Sequence, residues 1–330
     1  MGWADGLTVA AGRSLIMFDS KARRDLKGAR FVSHAHRDHL HILQGGEGII
    51  ATPQTLEMAR SMMEVYSQSL FPQEIGKRVK FDDAEVVMHN AGHMLGSAQF
   101  SVHTPVGTVA YTGDINCRDM YTTKAAERVE CDTLVLETTY GSPIYAFPDL
   151  VQTSAEIVEW AVGEIRRHRT PVFRVYSCGK PQEMIRMFNL FTNLPVVTNN
   201  VVAATSSVYV RNGIPLDFLS SDSEDGREAL ESGEAVLITS SEVDGHAKSP
   251  SLAAATGWAV RKRLSGSAAF PLSSHADFRQ LVQYVETVRP KNVLTLHGFR
   301  EEFASYVSRK LHVPARPVPP LEQRVIQEYL

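Results

Sequence analysis

The sequence has few cysteines, and none of them lies in the spacing of a metal or redox motif. Cys117, Cys131 and Cys178 are the only three in 330 residues, and no CxxC pair occurs. This excludes a disulfide scaffold and a cysteine-bound zinc site, and it favours a reducing, cytoplasmic location. The chain also lacks an apolar run of about 18 residues, so we expect no membrane span. Its N-terminus lacks the basic-then-apolar pattern of a signal peptide.

An excess of charge of one sign is also absent. Lysine and arginine total 34 against 37 acidic residues, which gives a net charge of −3. Proteins that coat nucleic acids are usually strongly basic, because phosphate neutralisation dominates their affinity. That class is excluded, whereas an enzyme with a local basic channel is compatible with the composition. The chain has no repeats and is 43% hydrophobic, which is enough for one large core or two of ordinary size.

The hydrophobic pattern changes twice along the chain. Residues 1–146 contain short apolar runs separated by Gly and Asn turns, which are typical of strands. Residues 147–268 alternate strand-like and helix-like segments, which predicts a parallel α/β unit. Residues 269–330 return to the earlier style. We therefore predict an α/β protein in which a second domain (147–268) is inserted into a first domain (1–146 and 269–330).

A dense group of ligand-type side chains follows the strand predicted at residues 30–33. It is the run His34-Ala35-His36-Arg37-Asp38-His39. Neutral imidazole and carboxylate are ligands for zinc, and four such side chains clustered beside a core would be costly unless coordinated. Weaker single candidates lie at the ends of later predicted strands: His93, Asp114 and His297. The set predicts two adjacent metal ions that activate a bridging hydroxide at neutral pH.

In this arrangement the sequence resembles the metallo-β-lactamase superfamily, and specifically its β-CASP nuclease branch. The similarity covers nearly the whole chain and includes mRNA 3′-end processing factors and prokaryotic β-CASP exonucleases. The matching positions, in motif order, are Asp19, His34 to His39, His93, Asp114, Glu137 in Leu-Glu-Thr-Thr-Tyr-Gly, His275 in Ser-Ser-His-Ala-Asp, and His297. The resemblance implies an αββα sandwich with a Rossmann-like β-CASP domain inserted between Glu137 and His275. The change in hydrophobic pattern independently lies in that interval.

The resemblance also implies how the ligands divide between two zinc ions per chain. The first ion would be held by His34, His36 and His93. The second would be held by Asp38, His39 and His297, and Asp114 would bridge the two. Asp19 would orient a ligand histidine from behind.

Two further groups are assigned to substrate chemistry. Glu137 and His275 form a pair in which the carboxylate raises the imidazole pKa, so that His275 can donate a proton to the leaving oxygen. Ser177, Gly179 and Lys180 open a predicted helix, where backbone N–H groups and a lysine can bind a substrate phosphate. The later segment 240–246, Ser-Ser-Glu-Val-Asp-Gly-His, is more acidic than the Gly-rich loop usual at this place in the family.

We predict a zinc-dependent nuclease that hydrolyses single-stranded RNA, because His297 at the last motif is typical of members that act on RNA. The alternative is a DNA exonuclease of the ligase- or helicase-associated type, which residues 137–145 also resemble. A small-molecule metallohydrolase would not need Glu137, His275 or the inserted domain. An inactive scaffold would usually have lost several ligands. A homodimer is compatible with the sequence.

Overall fold

The computed structural model describes residues 2–3, 6–20, 28–44, 47–66, 69–242, 247–261 and 268–318. The helices are α1 (Pro53–Met62), α2 (Leu150–Arg166), α3 (Lys180–Phe191), α4 (Asn200–Arg211), α5 (Glu224–Ser232), α6 (Phe278–Val288) and α7 (Arg300–Tyr306). Short 3-10 turns lie at His41–Gln44 and Gly257–Val260, and a π-helical turn follows α7 at Val307–Leu311. Within the described residues, no helix is long and apolar enough to cross a bilayer.

The strands form three sheets. The first contains β1 (Gly2–Trp3), β2 (Leu7–Ala11), β3 (Ser14–Phe18), β4 (Ala29–Phe31), β5 (Ile49–Ala51) and β6 (Leu70–Pro72). The second begins with β7 (Arg78–Phe81), β8 (Ala84–Asn90), β9 (Ala98–Thr104), β10 (Gly107–Tyr111) and β11 (Thr133–Glu137). The third contains β12 (Thr170–Arg174), β13 (Val196–Thr198), β14 (Leu219–Ser220), β15 (Val236–Thr239), β16 (Pro250–Ala255) and β17 (Ala268–Phe270). Finally, β18 (Asn292–Leu296) and β19 (Ala315–Pro317) complete the second sheet.

The first two sheets pack against each other through an aromatic core. Phe18 and Phe31 from the first sheet meet Phe100 from the second, with ring centroids 4.9 Å and 5.4 Å apart. All three side chains are fully buried, because each lies on the inner face of its strand. This core lies directly beneath the loops that leave β4, β10 and β11.

The second sheet changes from antiparallel to parallel pairing at the strands that carry the candidate site. β7, β8, β9 and β10 pair antiparallel, and β9 and β10 form a hairpin. β10, β11 and β18 pair parallel, with Glu137 opposite Leu296. The carboxyl ends of these three strands therefore meet at one edge of the sheet, although β18 comes after the whole third sheet in the chain.

The third sheet is parallel throughout, in the order β14-β13-β15-β12-β16-β17. Helices α2 and α3 cover one face, where Ile157, Met184 and Phe188 pack on Phe173. Its strands all lie between residues 170 and 270. The predicted α/β fold class, a layered sandwich with a Rossmann-like parallel unit, is confirmed. The boundaries at 146/147 and 268/269 stay a prediction, and residues 262–267 and 319–330 lie outside the described residues.

Candidate metal centre and cleft

The candidate site is built from loops that follow strands of the two packed sheets. His34 to His39 follow β4, Asp114 follows β10, Glu137 ends β11, and His297 follows β18. The backbone joins the two sheets here, since Ala98 N–H donates to Ser33 C=O at 2.8 Å. Short loops on paired strands place side chains precisely, because the strand register determines where each loop begins.

Four of the predicted ligands form one compact cluster. The ligand atoms of His34, His36, His93 and Asp114 all lie within 4.8 Å of one another. His36 Nδ1 is 3.0 Å from His34 Nε2 and 3.3 Å from His93 Nε2. Asp114 Oδ2 is 3.4 Å from His34 Nε2 and 3.8 Å from His93 Nε2. The rings of His34 and His93 are buried.

In each of these histidines, the ring nitrogen that faces away from the cluster (the outer nitrogen) has a hydrogen-bond partner. The inner nitrogen, which faces the cluster, therefore remains available to a metal ion. His34 Nδ1 lies 2.9 Å from Ser33 Oγ, and His93 Nδ1 donates to Ser274 C=O at 2.9 Å. His36 Nε2 is 3.4 Å from Cys178 C=O. Such outer partners select the tautomer whose lone pair points into the cluster, as in other histidine metal sites.

Burial keeps the three imidazoles neutral. Desolvation, reinforced by the neighbouring histidines, lowers the pKa of His34 and of His93 well below the usual value. Burial also lowers the pKa of His36, to about 3, against the raising effect of Asp38. Neutral imidazole is the form that binds metal.

The spacing of the four inner atoms fits a tetrahedral ion. Four ligands at about 2.0–2.1 Å from zinc are separated from one another by about 3.3 Å. The four separations given above, from 3.0 to 3.8 Å, bracket that value. Three neutral imidazoles and one carboxylate are also a donor set that zinc prefers. The cluster therefore fits a metal ion of the zinc type.

The other three predicted ligands lie around the same cleft without joining so compact a group in the described part of the chain. The Asp38 side chain is 79% exposed, and its Oδ2 is 3.6 Å from His39 Nε2. His297 is exposed on the cleft wall with a positive φ of 61°. Their role as ligands of a second ion stays a prediction.

Asp19 lies behind His39, where an orienting residue is expected. Its Oδ2 is 3.0 Å from His39 Nδ1 and accepts a hydrogen bond from Tyr111 Oη at 2.8 Å. Its Oδ1 accepts from Ser33 N–H at 2.8 Å. Burial opposes the charge on His39, but the carboxylates of Asp19, Asp114 and Asp38 outweigh it and raise the His39 pKa to about 10. His39 Nε2 is left facing Asp38.

Glu137 and His275 form a hydrogen-bonded pair beside the cluster. Glu137 Oε1 lies 3.0 Å from His275 Nδ1, and Oε2 accepts from Thr139 N–H at 2.8 Å. His275 Nε2 points toward the cluster, 4.0 Å from Asp114 Oδ2. Burial alone would lower the His275 pKa, but Glu137 and Asp114 raise it overall. Glu137 is fully buried, yet its pKa is lowered because the His275 charge outweighs the cost of desolvation.

A cleft of about 850 Å³ opens beside these groups, and its lining includes His36, Asp38, His39, Asp114, His275 and His297. The residues expected to bind substrate phosphate are also close by. Ser177 lines the cleft, and Gly179 and Lys180 line a small pocket that His36, His93 and His275 share. Burial lowers the pKa of Lys180 to about 8.

One detail of the phosphate hypothesis is wrong. The backbone N–H of Gly179 donates to Gln182 Oε1 at 2.7 Å, so it is not offered to a substrate. Gly179 serves close packing instead: a Cβ there would lie 3.0 Å from the end of Met94 and 3.9 Å from His36 Nε2. In the acidic segment considered above, residues 243–246 lie outside the described residues.

Several residues that shape the site were not singled out by sequence reasoning. Ser33 and Ser274 contact the ring nitrogens of His34 and His93 that point away from the cluster. Tyr111 donates a hydrogen bond to Asp19. Three further side chains line the cleft: His41, Tyr176 and Trp258. Ser33 and Ser274 directly precede His34 and His275 in the sequence, and this adjacency could have identified them as residues of the site. Tyr111 gave no signal, because it reads as an ordinary strand residue.

Comparison with known proteins supports the same family. The family model of the Zn-dependent metallo-hydrolase RNA specificity domain matches residues 267–316. A probable DNA ligase of Opitutus terrae is 32% identical over 83% of this chain. An RNase J-like protein of Methanocaldococcus jannaschii is 27% identical over 42% of this chain. The chain spans 27% and 34% of the length of these two relatives, respectively.

A solved structure shares the fold. The crystal structure of a protein of unknown function from Enterococcus faecalis V583 superposes with a TM-score of 0.64, covering 90% of this chain and 91% of that one. The two sequences are 13% identical, so the likeness shows the fold alone.

The sandwich of two sheets with a histidine and aspartate cluster at its strand ends defines the metallo-β-lactamase superfamily. Within that superfamily, the chain belongs to the β-CASP branch.

Proposed function

We propose that the chain is a metal-dependent nuclease that hydrolyses phosphodiester bonds of single-stranded nucleic acid, with RNA as the first candidate substrate. The observation that carries the proposal is the position of His275. Its Nδ1 is bonded to the buried Glu137, and its Nε2 faces the metal cluster at 4.0 Å from Asp114. A hydrolase that only needed to activate water would not require an additional carboxylate–histidine pair to transfer a proton.

The chain's own residues supply positioning and proton transfer. Two zinc ions, the number we propose, would act as Lewis acids on the attacking water and on the phosphate oxygens. The raised pKa of His275 favours its protonated form, which can donate to the leaving oxygen. Asp19 holds His39 in one orientation from behind. Lys180, half-buried beside the cluster, supplies a positive charge for a neighbouring phosphate.

The comparisons support nucleic acid as the substrate but divide between its two forms. The RNA specificity model over residues 267–316 and the RNase J-like relative support RNA. DNA is a second candidate, favoured by the probable DNA ligase that is 32% identical over 83% of this chain. Both polymers present the same phosphodiester to the metal cluster, so the site geometry accommodates either.

The deciding experiment offers both polymers to one preparation of zinc-loaded protein. End-labelled single-stranded RNA and DNA of one sequence are incubated side by side, with Asp114→Asn as the control that removes one ligand. We expect RNA to be degraded faster, and the ladder gives the direction of attack. Faster loss of DNA would select the second candidate. Absence of hydrolysis of both, or equal hydrolysis by Asp114→Asn, would refute the nuclease proposal.

Other readings have weaker support. A small-molecule metallohydrolase would leave the Glu137–His275 pair and the third sheet without a role, and an inactive scaffold would not need so complete a ligand cluster. A homodimer and a cytoplasmic location stay predictions.

A further inference from the structure

A second groove leaves the cleft at Tyr176. This side chain lines the main cleft, the small pocket beside His36 and a further groove of about 270 Å³. The groove runs along the carboxyl ends of the neighbouring parallel strands β15, β12 and β16, and Arg174, Tyr176 and Lys180 are among the residues that line it. Carboxyl ends of parallel strands are the usual place for ligands in open α/β sheets.

Tyr176 is a large aromatic side chain that stays in solvent. It is 71% exposed, although its ring centroid is only 5.5 Å from that of His36 in the metal cluster. The backbone on both sides of it is held in place. Val175 N–H donates to Thr239 C=O at 2.9 Å, and Ser177 C=O accepts from Thr205 Oγ1 at 2.7 Å. The ring is therefore an exposed flat surface on a fixed support.

Positive charge accompanies this ring along the groove. Lys180 borders both the small pocket and the groove, and Arg174 lies at the exposed end of β12. An aromatic face flanked by cations is the arrangement by which proteins bind single strands, since bases stack on the ring while phosphates follow the charges. Because the Tyr176 ring lies so close to His36, a base stacked on it would belong to a nucleotide adjacent to the cluster and not to one several positions away.

We propose that this groove binds the substrate nucleotide next to the scissile phosphate, with its base stacked on Tyr176 and its phosphate directed to Lys180 and Arg174. The inference rests on the proposed nuclease function and adds the origin of strand selectivity. A base paired in a duplex has its faces covered by neighbouring pairs, so Tyr176 selects unpaired nucleotides.

The test compares Tyr176→Ala with Tyr176→Phe on a single-stranded oligonucleotide. Loss of a stacking ring should raise KM about 5- to 150-fold with a smaller effect on kcat, whereas the Phe variant should stay within about twofold of wild type. Tyr66→Ala is the matched control, because Tyr66 is also an exposed tyrosine, at 67%, and does not line the cleft or groove. It should behave as wild type.

An abasic substrate series tells stacking from a structural defect. Removing the base at the position that meets Tyr176 should raise the wild-type KM by a similar factor and should not raise the KM of Tyr176→Ala further. Additive losses at every abasic position, or a Tyr176→Ala variant with unchanged KM, would overturn the stacking proposal. Wild-type hydrolysis of a nitrophenyl phosphodiester, which has no base to stack, tests the nuclease chemistry separately. If the wild type hydrolyses neither substrate, the proposed function fails rather than the groove assignment.

Discussion

At the scale of single residues, His275 has two carboxylates on opposite sides with different surroundings. Glu137 is fully buried and accepts hydrogen bonds from Ile115 N–H at 3.3 Å, Thr139 N–H at 2.8 Å and His275 Nδ1 at 3.0 Å. Its oxygens are therefore occupied, which argues against Glu137 as a metal ligand although it lies near Asp114. Asp114 instead faces the histidine cluster. His275 is thus placed between a fixed acceptor and the histidine and aspartate cluster.

His275→Ala should reduce the hydrolysis of a normal phosphodiester by about 10²- to 10⁴-fold, because the leaving oxygen loses its proton donor. A nitrophenyl phosphodiester has a good leaving group and needs little protonation, so its hydrolysis should suffer much less. Both rates and the zinc content of the variant are measured, and the zinc content should match that of the wild type.

The matched control is His103→Ala, which removes an exposed histidine of β9 that does not line the cleft. It should leave both rates unchanged. Equal losses on the two substrates, or a loss of zinc, would show that His275 is structural or a ligand and not the acid.

Asp38 and His39 are adjacent in sequence but differ in burial, so their variants should differ in stability. Both residues follow β4 on a loop, where a side chain can usually be removed without damage to the core. That holds for Asp38, which is exposed, but His39 is buried and paired with Asp19. Removing one member of a buried charged pair leaves the other uncompensated.

Asp38→Ala and His39→Ala should both abolish hydrolysis, but only His39→Ala should lower the free energy of unfolding substantially. We expect about 3 kcal/mol or more for His39→Ala in metal-free protein, since Asp19 keeps its charge without its partner. Asp38→Ala should stay within about 0.5 kcal/mol of wild type. Urea unfolding and a phosphodiester assay on both variants check this. Wild-type activity in either variant would contradict its assignment as a ligand.

At the scale of secondary-structure elements, the turn after β18 is packed too tightly for a side chain. Gly298 has a φ of 45°, and a Cβ there would lie 2.5 Å from Thr139 Cα and 2.6 Å from Thr138 C=O. Thr138 Oγ1 also donates to His297 C=O at 2.9 Å. The turn therefore holds His297 against the loop that follows β11, beside Glu137.

Gly298→Ala should cost about 2–5 kcal/mol of stability, combining the penalty of a left-handed alanine with that of overpacking. Gly76→Ala is the control, because Gly76 also has a positive φ, of 81°, but nothing lies within 4 Å of its added Cβ. It should cost only about 1–2 kcal/mol. Urea unfolding gives both values, and activity should fall only for Gly298→Ala because His297 is displaced. Equal costs with full activity in both would show that the tight turn has no role in the site.

At the scale of the whole molecule, the third sheet is held against the metal cluster by its helices and loops. Arg211 of α4 forms an ion pair with Glu57 of α1 at 2.6 Å, and Tyr209 Oη accepts from Leu95 N–H at 3.2 Å. Cys178 packs in one buried cluster with Tyr209 and with Ala35, which lies between His34 and His36. These contacts place the segment that carries Tyr176 and Lys180 beside the ligands.

Metal analysis of zinc-reconstituted protein should give close to two ions per chain by native mass spectrometry. At a free zinc concentration 100 times Kd, each site adds about 2.7 kcal/mol to the stability of the folded state, so chelation should lower Tm together with activity. His93→Ala should lose the ion held by the compact cluster. The control His89→Ala, in which the altered histidine lies on β8 beside Ser101, should lose none.

The stoichiometry also separates the two proposed sites. One ion per chain would refute the second site formed by Asp38, His39 and His297 while retaining the cluster. A value near zero after reconstitution would refute both.

The sequence predicted the α/β fold class and the four ligand-type residues that form the compact cluster, because residue types and strand ends can be recognised locally. Four ligand-type residues in the six positions from His34 to His39 need only a strand end before them to become a metal-binding loop. The helix that begins at Lys180 was likewise predicted from the residues that open it. The engagement of the Gly179 N–H by Gln182 was missed, since a helix start looks the same whether or not its donors are already occupied.

The sequence by itself determined which chemical groups are available and in what local order. It also determined that the hydrophobic period changes around residues 147 and 268, which predicted an inserted parallel unit. These properties follow from side-chain chemistry and from the repeat of strands and helices, and both act over a few residues.

Only the tertiary structure decided which groups meet. Glu137 and His297 lie at one edge of the second sheet because β11 pairs with β18 in a register that puts Glu137 opposite Leu296. In the sequence, the whole third sheet separates these two strands. The burial of His39, the tautomers of the cluster histidines and the exposure of Tyr176 depend in the same way on partners far away in the chain. Such contacts arise from the packing of sheets and loops, and no local pattern of residues specifies them.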